Sequence, residues 1–115
     1  MNINYDGKKF RSISNTDNGE VDGETYFNYH QEDGVVWAEY SGGNIIKGSL
    51  IAKVDKDGNL DMRYQHINRT GELMTGKCFS KPQLLEGGRI RLIENWEWTS
   101  GDFSRGESII EEIDN

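Results

Sequence analysis

The stretch RLIENWEWTSGD, residues 91–102, decides how this chain is read. At a period of two, Leu92, Glu94, Trp96 and Trp98 fall on one face of an extended strand. Such alternation marks a strand with one buried side, whereas a helix repeats its apolar stripe every 3.6 residues. A leucine and two tryptophans make that face an inner one, yet an acid sits among them. Either Glu94 points inward and needs a partner, or a bulge near Asn95 shifts the register and leaves it wet.

The same alternation recurs in the rest of the chain. Leu60, Met62, Tyr64 and His66 share one face of LDMRYQHIN, with Asp61, Arg63 and Gln65 on the other. In IIKGSLIAKV, Ile46, Gly48, Leu50, Ala52 and Val54 are expected on one face, against Lys47, Ser49 and Lys53. One face buried and one face wet is the pattern of an antiparallel sheet. Between such segments stand Asp22-Gly23, Asp33-Gly34, Gly42-Gly43, Asp57-Gly58, Thr70-Gly71, Gly87-Gly88 and Gly101-Asp102, pairs suited to tight turns. They divide the chain into eight expected strands, at 8–15, 24–32, 35–41, 45–55, 59–68, 72–81, 89–99 and 103–113. The last, with ESIIEEI, reads as a strand or a short helix. The longest expected loop is 15–23.

Eight sequential strands joined by short turns form a meander, and closing it removes the exposed edges. The expected fold is therefore all-β, a single antiparallel up-and-down barrel spanning 1–115 as one domain; a strongly curved open sheet is the alternative. An eight-stranded barrel is just wide enough for side chains or one small ligand. Gly48, Gly76 and Gly106 fall inside the fourth, sixth and eighth strands. They read as points of bending, or as places that leave room for a ligand.

Composition narrows the function. Thirteen basic against 20 acidic residues leave a net charge of -7, which repels phosphate backbones and anionic membranes. No nucleic-acid or membrane partner is expected. No apolar run approaches the ~18 residues of a membrane helix. The single cysteine, Cys78, cannot form an internal disulfide, and the chain opens with no basic-then-apolar leader, so a cytoplasmic location is expected. There Asn68-Arg69-Thr70, a glycosylation sequon, has no consequence.

The segments FNYHQEDGVVWAEYSGG (27–43) and ENWEW (94–98), with GKC (76–78) and GES (106–108), carry a resemblance over nearly the whole chain. It is similar to a family of small bacterial proteins whose members often carry the name N-acetylglutamate synthase. The resemblance implies a calycin-like barrel, of lipocalin or avidin type. Acetyl transfer of the common type needs a glycine-rich loop opening a helix to hold the coenzyme A pyrophosphate. No such loop followed by a helical pattern occurs here, and the chain is read as more a binder than an enzyme.

Candidate site residues follow from the inner faces. Glu94 among aromatic residues could anchor a polar group of a ligand, act as an acid or base, or form a structural pair with an inward Arg, Tyr or Lys. His66 could bind a ligand or pair with Glu94, or sit at the rim in solvent; His30 lies near a turn. Tyr26, Phe27, Tyr29, Trp37, Tyr40, Tyr64, Trp96 and Trp98 could wall a pocket or fill a core. Of these, Tyr64, Trp37, Trp96 and Trp98 are expected at the ligand with Glu94 and His66. Cys78 reads as an inert buried thiol. No metal is expected: one Cys and two His are scattered, and the run Asp55–Asp61 has its glycine too early for a calcium loop. No cofactor motif appears.

The expected function is a small-ligand-binding barrel with an aromatic-lined cavity, its ligand small and apolar or amphipathic, the protein a monomer or homodimer. The alternatives are an interaction protein with a filled barrel, dimerising through outward residues such as Ile93, and an enzyme using a Glu94–His66 pair.

Overall fold

The computed structural model describes residues 3–113. It contains β1 (Lys9–Asn15), β2 (Tyr26–Glu32), β3 (Val35–Gly42), β4 (Ile45–Val54), β5 (Leu60–Asn68), β6 (Leu73–Leu84), β7 (Ile90–Trp98) and β8 (Arg105–Ile113). Each strand pairs antiparallel with the next, and β8 pairs with β1, so the sheet closes into a barrel. Closure removes the free edges that an open meander would expose. The C-terminal segment is a strand, held between β7 and β1. Among the described residues no helix is long and apolar enough to cross a membrane.

Two expectations need correction. In β4, Ile46 points outward and is 52% exposed, while Ile45 is buried at 1%. The register against β5 shifts between Ile45 and Lys47, and this irregularity turns the strand's first residues over. The sixth strand also runs on to Leu84 through Pro82. β5 accompanies β6 only as far as Ser80, so Pro82 has a strand neighbour on one side, facing Leu92. That is where a residue without an N–H is tolerated.

Alternation places the inner residues as expected on β5 and β7. Leu60, Met62 and His66 are buried, Tyr64 is partly so, and Leu92, Glu94, Trp96 and Trp98 are all buried. The run Asp55–Asp61 is a hairpin turn, with the Asp55 carboxylate accepting from the amides of Asp57 and Asn59. Asparagine 59 and these amides hold that carboxyl below its usual range.

The interior has two halves. One is packed solid by Phe10, Tyr29, Val36, Leu60, Leu92 and Ile110, each at most 1% exposed. Phe10 and Tyr29 meet at 4.8 Å between ring centroids. The segment before β1 stops this end: Tyr5 is fully buried and its hydroxyl donates to the Gly58 carbonyl at 2.6 Å. The other half, beneath the β1–β2 loop, is different.

Candidate functional site

Alternation and register build a cavity in that second half. It measures about 50 Å³ and is walled by Phe27, Tyr40, Tyr64, Trp96 and Trp98, with Leu50, Met62 and Cys78 between them. The rings meet edge to face, Trp96–Trp98 at 5.4 Å and Tyr64–Trp98 at 5.8 Å. Such contacts suit the ring quadrupole and hold the walls rigid.

The mid-strand glycines explain how rings this large fit. In register, Gly48 lies opposite Tyr40, Gly76 opposite Tyr64, and Gly106 opposite Trp96. A Cβ built on these glycines would stand 2.4 Å from the Tyr40 ring, 2.2 Å from Tyr64 and 2.2 Å from Trp96. None has a positive φ, so the absent side chain, not an unusual backbone, is what matters. The glycines make room for the walls, across the strand pair, rather than for a ligand directly.

Glu94 lies at the inner face of β7 with 7% exposure, and the register does not slip at Asn95. Its cross-strand neighbours are Ser80 on β6 and Ser108 on β8. Both serines donate to it, Ser80 Oγ at 2.7 Å and Ser108 Oγ at 3.2 Å. Two hydroxyls, not an Arg, Tyr or Lys, are its partners. Burial outweighs these hydrogen bonds and pushes the carboxyl up to about 7. Burial likewise raises the thiol of Cys78, which keeps it protonated and unreactive.

His66 is not a rim residue: it is 3% exposed. Its Nδ1 lies 2.8 Å from the Tyr40 hydroxyl and its Nε2 lies 2.7 Å from Glu20 Oε1. One neutral tautomer satisfies both, with Tyr40 donating to Nδ1 and Nε2–H donating to Glu20. His66 and Glu94 line the same cavity but are not hydrogen-bonded to each other; each is held by different groups.

The β1–β2 loop covers the cavity. Glu20 holds His66 and also accepts from Asn68 Nδ2 at 2.9 Å. The indole N–H of Trp96 donates to Asn15 Oδ1 at 3.1 Å, and that of Trp98 to the Asn18 carbonyl at 3.0 Å. Gly19 and Val21 complete the cover. Nothing in the sequence pattern separates Glu20 from the neighbouring loop acids Asp17, Asp22 and Glu24; only the path of the loop across the barrel mouth does. Ser80 and Ser108 were legible only as polar residues on inner faces.

Two expected wall residues lie elsewhere. Trp37 is on the outer face of β3, stacked on His30 of β2 at 5.5 Å, and Tyr26 is outward and 45% exposed. Trp37 alternates with buried Val36 and Ala38, so its side is fixed by its neighbours rather than by its own size. His30 accompanies it, 2.8 Å from Glu39. Tyr29 is inward but belongs to the packed half.

Replacing Glu20 by Ala is expected to leave two donors, on His66 and Asn68, without their acceptor. The cost should be modest, about 1 kcal/mol, since the carboxylate is partly solvated. Hydrogen exchange of the Trp96 and Trp98 indoles should quicken markedly, and unchanged exchange would mean that Glu20 does not hold the loop.

Among the described residues no group of His, Cys, Asp and Glu is placed to hold a metal ion. The family model for avidin-like proteins matches residues 3–113 of the chain. No curated protein and no solved structure gives a match. The match covers nearly the whole sequence, and the chain belongs to the avidin-like protein family.

Proposed function

We propose, starting from an avidin-like protein with a covered aromatic cavity, that the barrel binds a small ligand between Trp96, Trp98, Tyr64 and Phe27. The observation that carries this reading is the division of the interior. One half is filled by fully buried side chains, whereas the other keeps a cavity of about 50 Å³ bounded by rigid rings and a buried carboxyl. Cores otherwise close such gaps with side chains, because voids forfeit packing contacts. Glu94 supplies a polar contact, His66 holds the cover through Glu20, and the β1–β2 loop is the cover under which the ligand sits.

The volume limits the ligand. Space of this size admits a few water-sized groups, so the ligand is compact, or it displaces the loop. Acid–base catalysis by a Glu94–His66 pair is not part of the proposal, since both groups are engaged with other partners.

Native mass spectrometry of gently purified protein tests the reading. A reproducible added mass is expected, and Trp98→Ala should weaken its retention at least tenfold, about 1.4 kcal/mol, while the circular dichroism stays that of a barrel. A bare mass, together with an NMR fragment screen that shifts no indole signal, would refute it.

A second reading has its own observation. Ile93 is 37% exposed and pairs outward with Ile109, next to Ile13 at the β1 bulge. This strip could seat a second copy of the chain. The same native spectrum shows it as a dimer mass that Ile93→Lys abolishes.

A further inference from the structure

We propose that the ligand taken by this cavity is a compact organic cation of the alkylammonium class; the inference rests on the binding reading above. The chemistry of the lining leads to it. Most hydrogen-bond donors of the walls are already engaged within the protein, the Tyr64 hydroxyl being the exception among the described residues. Trp96 and Trp98 give their N–H groups to the loop, Tyr40 gives its hydroxyl to His66, His66 is turned to Glu20, and Ser80 and Ser108 donate to Glu94.

What remains facing the cavity is electron-rich. It comprises the ring faces, the sulfurs of Met62 and Cys78, and the carboxyl groups of Glu94 and Glu20. Among the described residues no Lys or Arg lines it, and the one lining residue able to carry positive charge, His66, is paired with Glu20. An anionic ligand would meet two carboxyl groups with only the Tyr64 hydroxyl to answer it. A neutral polar ligand would find acceptors but few donors. An ammonium ion supplies what the lining lacks: a positive charge for the rings and N–H or polarised C–H groups for the acceptors. Desolvated cation–π contacts are the strong ones. The chain's net charge of -7 favours approach of a cation.

Proton linkage follows. A bound cation favours the ionised form of Glu94, whose carboxyl lies near neutrality in the free barrel. Ser80 on β6 and Ser108 on β8 touch it, and the titratable groups that feel its charge are Cys78 on β6, Tyr29 on β2, Tyr40 on β3, Tyr64 on β5 and Tyr5 at the packed end. Burial keeps these tyrosines and the thiol protonated, so Glu94 is the titrating member of this set; Glu20 and His66 face each other at the cover. If only the ionised form binds, affinity should rise about tenfold between pH 6 and pH 8, in proportion to the competent fraction.

The test is an NMR titration of the intact protein, read at the Trp96 and Trp98 indole N–H signals. The probes are trimethylammonium, 2-propanol and acetate, which are equal in non-hydrogen atoms and differ in charge. Trimethylammonium is expected to bind at least tenfold more tightly than 2-propanol, with acetate weakest. Glu94→Gln should remove both the preference and the rise with pH while the fold is kept. If 2-propanol or acetate binds as well as the cation, the cation inference fails and the binding reading stands. If no probe shifts the indoles, both fail. A preference retained in full by Glu94→Gln, with the same pH profile, also overturns the role given to Glu94.

Discussion

Glu94→Gln is expected to make the barrel more stable than the natural protein at pH 8, by up to about 3 kcal/mol, and slightly less stable or equal at pH 4. The sign follows from the direction of the shift. Burial raises the carboxyl of Glu94 from 4.5 to about 7 in the folded chain, whereas the unfolded chain titrates at the ordinary value. Between these pH values the folded state holds a proton that the unfolded state has lost. Stability is therefore fullest below the unfolded pKa and declines as pH rises through the folded one, by ~1.4 kcal/mol for each unit of difference. Glutamine keeps the shape, accepts from one serine and donates to the other, and has no charge to bury. Urea denaturation at intervals from pH 4 to pH 9 measures the effect. The natural protein should lose stability across pH 5–8 relative to the variant. Two parallel curves would mean that Glu94 is solvated in the folded state, and the carboxyl could then no longer be the polar anchor of the cavity.

Trp96→Ala and Gly106→Ala should both destabilise the barrel, for opposite reasons. The first empties a buried ring site and leaves the Asn15 side-chain oxygen without its donor, at a cost of about 3–5 kcal/mol, the usual range for truncating a buried tryptophan. The second forces a methyl group to 2.2 Å from the Trp96 ring and from Thr16 Oγ1. The exposed Thr16 side chain can turn aside by giving up the long hydrogen bond it accepts from the Glu107 N–H, but Trp96 is fixed by its hydrogen bond and by Trp98, so overpacking should cost ~1–3 kcal/mol. The double variant decides whether the explanation is right. With the ring gone the methyl group has room, and Gly→Ala within a strand then gains ~0.5–1 kcal/mol. The same substitution should thus reverse sign with its background, a coupling that chemical denaturation resolves. Additive effects would show that Gly106 serves strand bending, with no part in seating Trp96.

Loop closure and binding are connected in this fold. The groups at the cover, Glu20, the side-chain oxygen of Asn15 at the end of β1 and the backbone carbonyl of Asn18, occupy the donors of His66 and the two indoles. Opening the loop would free the Trp98 indole N–H and the Nε2–H of His66 at the moment the cavity is exposed. A ligand that enters must therefore compete with the loop for the same edges, which favours ligands that use the ring faces instead.

The amino-acid sequence by itself determined the strands, their antiparallel order and most inner faces. These rest on local information: side chains alternate every residue along a strand, and Leu60, Met62, Leu92, Trp96 and Trp98 are too apolar to face water in a row. Alternation offered Glu94 an inner position but left open a bulge near Asn95; only the unbroken register of β7 with β6 and β8 put the carboxyl inside. Where one irregularity enters, the reasoning fails, as at Ile46, since a single extra residue reverses every side chain beyond it. The same locality placed Trp37 in the cavity by its type, although buried Val36 and Ala38 put it outside. Only the tertiary structure decided what meets across the barrel. The pairing of Gly48, Gly76 and Gly106 with three rings, the serines on both sides of Glu94 and the descent of Glu20 onto His66 all join residues distant in the chain. Such contacts depend on closure and register, which come from the sum of all eight strand pairings and are written in no single segment.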